Sequence, residues 1–236
     1  MLDTLKTKIF ADGADLDGIL ELASEPHIRG FTTNPTLMWK AGLTRYEDFA
    51  RRILDRVTER PVSFEVFADD APHMRRQAER IAGWGENVYV KIPVTNTVGQ
   101  SMAPLAKALS NEGVKVNVTA IFTSRQVIEI TEAVAEGAPS FLSVFAGRIA
   151  DTGIDPIPIM RQSVEIMGAA PQAELIWASP REVLNLVQAD SVGCHIITMT
   201  HDLLTKVPTL GKGLEAFSLE TVRMFHADAV NAGFEL

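Results

Sequence analysis

The chain has 236 residues and a mass of 25.8 kDa, enough for one large domain or two small ones with a substantial core. Its net charge of −8 and pI of about 5.2 argue against nonspecific nucleic-acid binding, so an anionic ligand would need a local cationic pocket. No apolar run reaches the roughly 18 residues of a membrane span, and the N-terminus lacks a basic and hydrophobic leader, so we expect a cytoplasmic protein.

Short apolar segments alternate with longer amphipathic ones, and no low-complexity linker divides the chain. The amphipathic segments predict helices that include 46–58, 72–82, 101–112 and 124–135, with a last helix at 218–232. The apolar segments predict eight strands, at residues 8–11, 28–32, 62–66, 88–92, 114–121, 141–145, 174–177 and 194–198.

Two segments have the pattern of a capping box, in which a hydroxyl residue is followed three residues later by Glu or Gln. They are Thr123-Ser124-Arg125-Gln126 and Ser179-Pro180-Arg181-Glu182, the second with proline at the first helical position. We predict that a helix begins at each.

Eight strands that alternate with helices fit a closed parallel barrel or a doubly wound sheet. In strand 62–66 the apolar residues share one face, and Ser63 and Glu65 lie on the other. A doubly wound sheet covers both faces of its central strands with helices, whereas the rim of a barrel lumen can hold polar groups. We therefore predict an α/β fold, a parallel (β/α)8 TIM barrel with an additional C-terminal helix, as a single domain over residues 1–236.

Several polar residues lie late in their strands or just beyond them, on the phase that faces the lumen. The C-terminal ends of the strands are where barrel enzymes place their active sites. The residues that predict this shared site are Asp12, Asn34, Glu65, Lys91, Thr119 and Ser143.

Lys91 lies within the apolar segment 88–92, where an ammonium group is costly unless it is neutralised or paired. One interpretation is that it snorkels to water from an edge strand. The other is that desolvation favours a neutral amine, able to attack a carbonyl carbon. With Asp12 and Glu65 as acid/base groups, the chamber would suit a Schiff-base aldol reaction. Alternatively, Asp12 caps the following loop and Glu65 pairs with a basic neighbour.

Three residues that follow the sixth and seventh predicted strands indicate an anion pocket. Ser179 and Arg181 would offer a hydroxyl and a guanidinium at a helix N-terminus, a location suited to phosphate. Arg148 follows the sixth predicted strand and adds a second cation. The simpler interpretation of Ser179 and Arg181 is a plain helix cap beside a solvated arginine.

Cysteine and histidine offer little further chemistry. Cys194 is the single cysteine, which excludes an intramolecular disulfide and a multi-thiolate zinc site, and its apolar neighbours favour a packing role. The histidines lie far apart without zinc-binding spacing, so we expect no metal site. They are His27, His73, His195, His201 and His226.

The assembled residues resemble the transaldolase family, particularly its short single-barrel branch, which also includes fructose-6-phosphate aldolases. The resemblance runs from Lys8 to about Lys206 and extends to the terminal helix. Five ordered motifs carry it: Gly30-Phe31-Thr32-Thr33-Asn34-Pro35-Thr36, Val90-Lys91-Ile92-Pro93-Val94-Thr95, Asn117-Val118-Thr119, Ser143-Val144-Phe145-Ala146-Gly147-Arg148 and Ala178-Ser179-Pro180-Arg181.

The resemblance implies roles for these residues and implies no metal or organic cofactor. Lys91 would form the Schiff base, and Asp12 would take the proton of the C4 hydroxyl during cleavage. Glu65 would serve imine formation and hydrolysis through a water held by Thr119. Substrate-binding residues would be Asn34, Thr33, Asn117, Ser143 and Phe145, and phosphate-binding residues would be Arg148, Ser179 and Arg181.

Two positions separate the branches of the family that the chain resembles. Glu65 and Phe145 match transaldolases, whereas the aldolase branch has glutamine and tyrosine there. The implied activity transfers a dihydroxyacetone unit from a ketose phosphate, fructose 6-phosphate or sedoheptulose 7-phosphate, to an aldose phosphate. The alternatives are an aldolase that releases free dihydroxyacetone, a transaldolase for sulfonated sugars, since Pro180 replaces the usual phenylalanine, and a noncatalytic sugar-phosphate-binding barrel.

The resemblance also implies partners. The substrates would be small sugar phosphates, with no nucleic acid or membrane involved. Short members of the family assemble into rings through the terminal helix, which implies a homo-oligomer with contacts at 218–232.

Overall fold

The computed structural model describes residues 2–13, 15–40, 42 and 44–233. Eight parallel strands form one closed barrel in chain order, with the first strand paired to the last. The predicted (β/α)8 barrel is confirmed. The strands are β1 Lys8–Asp12, β2 Ile28–Thr32, β3 Val62–Glu65, β4 Val88–Pro93, β5 Val116–Ile121, β6 Ser140–Val144, β7 Ala173–Trp177 and β8 Ile196–Thr200.

Helices follow the strands, and the apolar sides of all of them except the last pack against the outer face of the barrel. No helix among the described residues has both the length and the apolar character that a membrane span requires. The α-helices are α1 Leu16–Leu22, α2 Pro35–Lys40, α3 Tyr46–Leu54, α4 Ala71–Ala82, α5 Ala103–Asn111, α6 Ser124–Val134, α7 Ala146–Asp151, α8 Pro156–Met167, α9 Leu184–Ser191, α10 His201–Leu204 and α11 Leu214–Ala232.

Local hydrogen bonds explain where element bounds differ from prediction. Strand β5 begins at Val116 because the Val114 amide donates to the Leu109 carbonyl at 3.0 Å, which makes Val114 part of the end of α5. The last helix, α11, begins at Leu214, four residues before its predicted start.

One of the two predicted capping boxes is confirmed. The Thr123 hydroxyl accepts from the Gln126 amide, and the Gln126 side chain accepts from the Thr123 amide. The prediction of a helix start at Ser179 is wrong, since α9 begins only at Leu184. Ser179 has a φ of +59°, and the Asn185 side-chain oxygen accepts the Arg181 amide at 2.7 Å. The Asn185 side chain thus takes the place of a Ser179 cap, and the segment is a loop.

Aromatic side chains fill the lower part of the lumen. The ring of Phe141 stacks on Tyr89 at 3.9 Å and meets Phe10 edge to face at 5.7 Å. Gly30 makes room for this cluster, because a Cβ at that position would lie 2.5 Å from the Phe10 ring. Two residues further along the same strands come Asp12, Lys91 and Ser143. Since residues two apart on a strand face the same way, the polar chamber lies directly above the aromatic cluster.

A bulge in β5 shapes the wall of that chamber. Val118 pairs with Leu142 and Ile121 pairs with Val144, so β5 has one more residue than β6 across this interval. Ala120 absorbs the extra length with a φ of +60°, a conformation that costs a non-glycine residue of order 1 kcal/mol or more. The bulge leaves Thr119 on the lumen side and returns Ile121 to the outer core.

Candidate active site at the carboxyl ends of the strands

A cavity of about 540 Å³ opens where the strands end. All but two of the predicted site residues line it, and the other two, Thr33 and Asn117, are buried in its wall. The tertiary structure therefore brings the predicted residues together. Those in the lining are Asp12, Asn34, Glu65, Lys91, Thr119, Ser143, Phe145, Arg148, Ser179 and Arg181.

Lys91 and Glu65 form a buried ion pair on adjacent strands. The two residues are paired directly across β3 and β4, with Lys91 Nζ 3.1 Å from Glu65 Oε1 and side-chain exposures of only 9% and 6%. Lys91 Nζ also donates to the Thr33 carbonyl at 2.7 Å. The interpretation of Lys91 as a snorkelling edge residue is wrong, because a closed barrel has no edge at β4 and the ammonium group stays in the chamber.

Glu65 is enclosed by donors. Its Oε2 accepts from the Thr33 hydroxyl at 3.0 Å, and the Tyr46 hydroxyl lies 3.4 Å from the same oxygen. Burial raises the pKa of the Glu65 carboxyl, while the charge of Lys91 opposes that shift. The carboxylate is thus a stronger base than an exposed glutamate and lies in contact with the amine it could deprotonate.

Asp12, the last residue of β1, is the second carboxylate of the chamber. Its carboxylate accepts from the Thr32 hydroxyl at 2.8 Å and from the Asn34 amide nitrogen at 3.3 Å. Burial raises the pKa of Asp12, with Lys91 as the largest opposing influence. The alternative that Asp12 caps the next loop is wrong, since Asp15 caps α1 and the Asp12 side chain turns into the barrel.

A chain of side-chain hydrogen bonds supports the wall formed by β3, β5 and β6. Asn117 donates to the Ser63 hydroxyl at 3.0 Å and accepts from the Ser143 hydroxyl at 2.7 Å. Asn117 is fully buried, so its amide orients Ser143, which lines the cavity. Beside it, the Thr119 hydroxyl has no hydrogen-bond partner among the described residues, and it remains available to a ligand or a water.

The predicted anion-binding residues lie at the far rim of the cavity. Arg181 donates through Nε to Asp151 at 2.9 Å and through Nη1 to the Ser179 hydroxyl at 3.0 Å. This pairing holds the pKa of Asp151 below its ordinary value. The Arg148 guanidinium lies 5.2 Å from the centre of the Phe145 ring, which aligns it beside the same loop.

Gly147 sets the geometry of this rim. A Cβ at Gly147 would lie 1.6 Å from the Ser179 carbonyl oxygen, so only glycine lets the start of α7 meet the loop of Ser179. Pro180, the unusual residue of that loop, is buried and also lines the cavity. Arg148 and Arg181, which follow the neighbouring strands β6 and β7, both line this cavity, as the sequence predicts.

Sequence reasoning missed several residues of the site. The hydroxyls of Thr32 and Thr198 lie 2.6 Å apart, and that of Thr32 also contacts Asp12. Both residues belong to the alternating positions of β2 and β8 that face the lumen, so the sequence pattern could have identified them. Tyr46 and Asp151 lie on helices and carry no sequence signal, because their contacts depend on how α3 and α7 pack.

The remaining titratable candidates lie outside the chamber. Cys194 is buried just before β8, and burial raises the pKa of its thiol to about 12, which fits a packing role. Within the described part of the chain, no group of three or more His, Cys, Asp or Glu side chains is arranged to hold a metal ion.

The sequence profile of the transaldolase/fructose-6-phosphate aldolase family matches residues 9–236. The chain belongs to this family. It is 33% identical to the "Probable transaldolase" of Methanococcus maripaludis strain C5 over 214 residues, which cover 89% of this chain and 95% of the relative. It is also 33% identical to "Probable transaldolase 2" of Listeria monocytogenes over 214 residues, covering 89% and 94%. The chain is accordingly a transaldolase-like enzyme.

Solved structures share the architecture at much lower identity. The crystal structure of 2,3-dimethylmalate lyase, a member of the PEP mutase/isocitrate lyase superfamily, superposes with a TM-score of 0.55 at 14% identity. The superposition covers 99% of this chain and 86% of that one. At this identity the likeness shows the barrel fold alone.

Asp12→Asn should stabilise this enzyme at neutral pH by about 1 kcal/mol, because the substitution removes a charge that the chamber disfavours. A carboxyl with a raised folded-state pKa contributes stability that is complete below its ordinary value of 3.8 and is lost as pH rises through the folded-state pKa. The gain, measured by urea unfolding at pH 7, should therefore shrink as pH falls toward 4. The exposed control Glu165→Gln should stay near zero at both pH values.

Proposed function

We propose that this enzyme transfers a three-carbon dihydroxyacetone unit from a ketose phosphate to an aldose phosphate through an imine on Lys91. The observation that carries the proposal is the contact between Lys91 Nζ and Glu65 Oε1 at 3.1 Å inside a cavity that also contains Asp12. An amine, its base and a second carboxylate are the groups that such an aldol reaction requires.

In the first half-reaction, Glu65 takes a proton from the Lys91 ammonium, and the free amine adds to the C2 carbonyl of the ketose. The resulting carbinolamine loses water, with Glu65 returning the proton to the departing hydroxyl, and the imine forms. A water at the Thr119 hydroxyl fits this exchange, since that hydroxyl faces the cavity without a partner among the described residues. The raised pKa of Glu65 suits a group that both accepts and returns a proton.

In the cleavage step, Asp12 takes the proton of the C4 hydroxyl, and the C3–C4 bond breaks. Its electron pair enters the protonated imine and leaves an enamine on Lys91, while C4 departs as the aldehyde carbon of an aldose. The raised pKa of Asp12 favours this proton transfer. Addition of an acceptor aldose reverses these steps, so protons and electrons balance over the cycle.

Two side chains favour transfer over release of the three-carbon unit. Position 65 carries a carboxylate, held by Lys91 and Thr33, and position 145 carries a phenyl ring that packs at 5.8 Å against Phe122. Phe145 has no hydroxyl with which to deliver a water or proton to the enamine. The dihydroxyacetone unit should therefore wait on Lys91 until an acceptor arrives.

The central test combines borohydride with donor substrate. Incubation with fructose 6-phosphate and borohydride should inactivate the enzyme and place a reduced three-carbon adduct on the peptide that contains Lys91. Lys115→Met offers a matched control, because Lys115 lies before β5 and outside the cavity lining. It should label normally, whereas Lys91→Met should not.

Without borohydride, the same donor separates the two activities of the family. Fructose 6-phosphate should be consumed quickly only when erythrose 4-phosphate is present. Rapid formation of free dihydroxyacetone without an acceptor would instead assign the aldolase activity. Failure to label Lys91 would overturn the imine mechanism itself.

We also propose that Arg181, Arg148 and Ser179 bind the phosphate. Replacing Arg181 with Gln removes charge-assisted hydrogen bonds and leaves Asp151 unpaired beside the anion, so KM for a phosphorylated donor should rise about tenfold or more. The KM for unphosphorylated dihydroxyacetone as a donor analogue should change little. Arg161→Gln, an exposed charge removal on α8, is the control, and an equal effect there would contradict the assignment.

Helix α11 supports the proposal of a homo-oligomer. None of its 19 residues is buried in the described chain, although many are large and apolar. They occupy most sides of the helix, which is typical of a helix that is covered by other elements. These exposed residues are Leu214, Phe217, Leu219, Val222, Met224, Phe225 and Val230.

Light scattering after size-exclusion chromatography tests this role of α11. Phe225→Glu should lower the molar mass, because a charge on a contacting apolar face is costly to bury. The control Ala227→Glu places the same charge on the side of the helix that carries none of these apolar residues, so it should leave the molar mass unchanged. An unchanged mass for Phe225→Glu and for removal of residues 214–236 would contradict a contact through α11.

A further inference from the structure

The hydrogen-bond ladder between β2 and β3 is interrupted beside the reactive lysine. The Phe31 amide donates to the Pro61 carbonyl at 2.8 Å, and the Thr33 amide donates to the Ser63 carbonyl at 3.2 Å. In a regular parallel ladder the next bond would run from the Glu65 amide to the Thr33 carbonyl. Both of these groups have other partners.

The Glu65 amide donates to the Tyr46 hydroxyl oxygen at 2.7 Å. The Thr33 carbonyl, which that amide would otherwise occupy, accepts from Lys91 Nζ at 2.7 Å. A buried amide needs an acceptor, so the tyrosine hydroxyl replaces the ladder bond without leaving the amide unsatisfied.

The Tyr46 ring is fixed from several sides. It is the first residue of α3 and meets Phe64, Phe67 and Trp84 edge to face, with ring centres 6.1, 4.7 and 5.6 Å away. Burial raises the pKa of its phenol, so the hydroxyl keeps its proton. That proton points to Glu65 Oε2, which lies 3.4 Å away.

We propose that Tyr46 is a positioning residue for the imine-forming step: its hydroxyl takes the Glu65 amide away from the β2 ladder and frees the Thr33 carbonyl to hold Lys91 Nζ against Glu65. Tyr46 is absent from the cavity lining, so it acts through Glu65 and Thr33 and does not touch the substrate. This inference rests on the proposed function of Lys91. It adds a tyrosine, a residue type that imine formation does not itself need.

Removal of the hydroxyl has a specific consequence. In Tyr46→Phe, the Glu65 amide lacks its acceptor and closes on the Thr33 carbonyl, which completes the regular ladder. Lys91 Nζ then loses one of its two acceptors, and its position relative to Glu65 is no longer fixed. Imine formation should slow, whereas substrate binding at the arginines should not change.

The test measures imine formation directly by mixing enzyme with fructose 6-phosphate and quenching with borohydride at successive times. Tyr46→Phe should label Lys91 on the order of tenfold to a hundredfold more slowly than the wild type, with KM within about threefold. Trp84→Phe is the matched control, because it changes packing on the Tyr46 ring without removing a hydrogen bond that Trp84 makes in the described structure. It should label at nearly the wild-type rate.

The outcomes separate this inference from the proposed function. If the wild type itself fails to label, the imine mechanism is wrong. If the wild type labels and Tyr46→Phe labels equally fast, or Trp84→Phe is equally slow, the positioning role is wrong. Should Tyr46→Phe fold poorly, 3-fluorotyrosine placed at position 46 keeps the ring and weakens its oxygen as an acceptor. An intermediate labelling rate would support the inference, and a wild-type rate would overturn it.

Discussion

The ion pair between Lys91 and Glu65 is the interaction on which the rest of the site depends. Removal of two charges from water costs several kcal/mol for each ion, and only close geometry and further hydrogen bonds offset this cost. Thr33 provides both a carbonyl for Lys91 and a hydroxyl for Glu65. The pairing of β3 with β4 places the two residues directly across from each other, and closure of the barrel leaves the ammonium no edge from which to reach water.

The barrel also determines how deep the charged pair lies. The rings of Phe10, Tyr89 and Phe141 close the lumen from below, and the next inward layer carries Asp12 and Lys91. The raised pKa values of Asp12 and Glu65 follow from this enclosure. The same enclosure that destabilises the carboxylates makes them better bases, an exchange of stability for reactivity that is common in active sites.

The rim of the cavity that carries Arg148, Ser179 and Arg181 is built differently from the chamber. Its side chains stand on a loop and a short helix, and Arg181 is already paired with Asp151 and Ser179 in the free enzyme. If the rim binds a phosphate, as proposed, the anion would share or displace these partners, and Asp151 would then oppose its binding. The chamber is rigid because strands carry it, whereas the rim depends on the contact between Gly147 and Ser179.

The sequence by itself determined the strand number, the lumen phase and the set of residues that meet at the strand ends. It could do so because side chains alternate along a strand, and the carboxyl ends of parallel strands meet at one face of a barrel. Lys91, Glu65 and Asp12 were therefore predictable. The sequence pattern failed at Ser179, where a capping-box motif forms a loop: Ser179 has a φ of +59°, and the Asn185 side chain accepts from the Arg181 and Glu182 amides that a Ser179 cap would have satisfied. Only the tertiary structure decided that Tyr46 replaces a ladder bond, since that contact depends on how α3 packs on β3 and leaves no periodic trace in the chain.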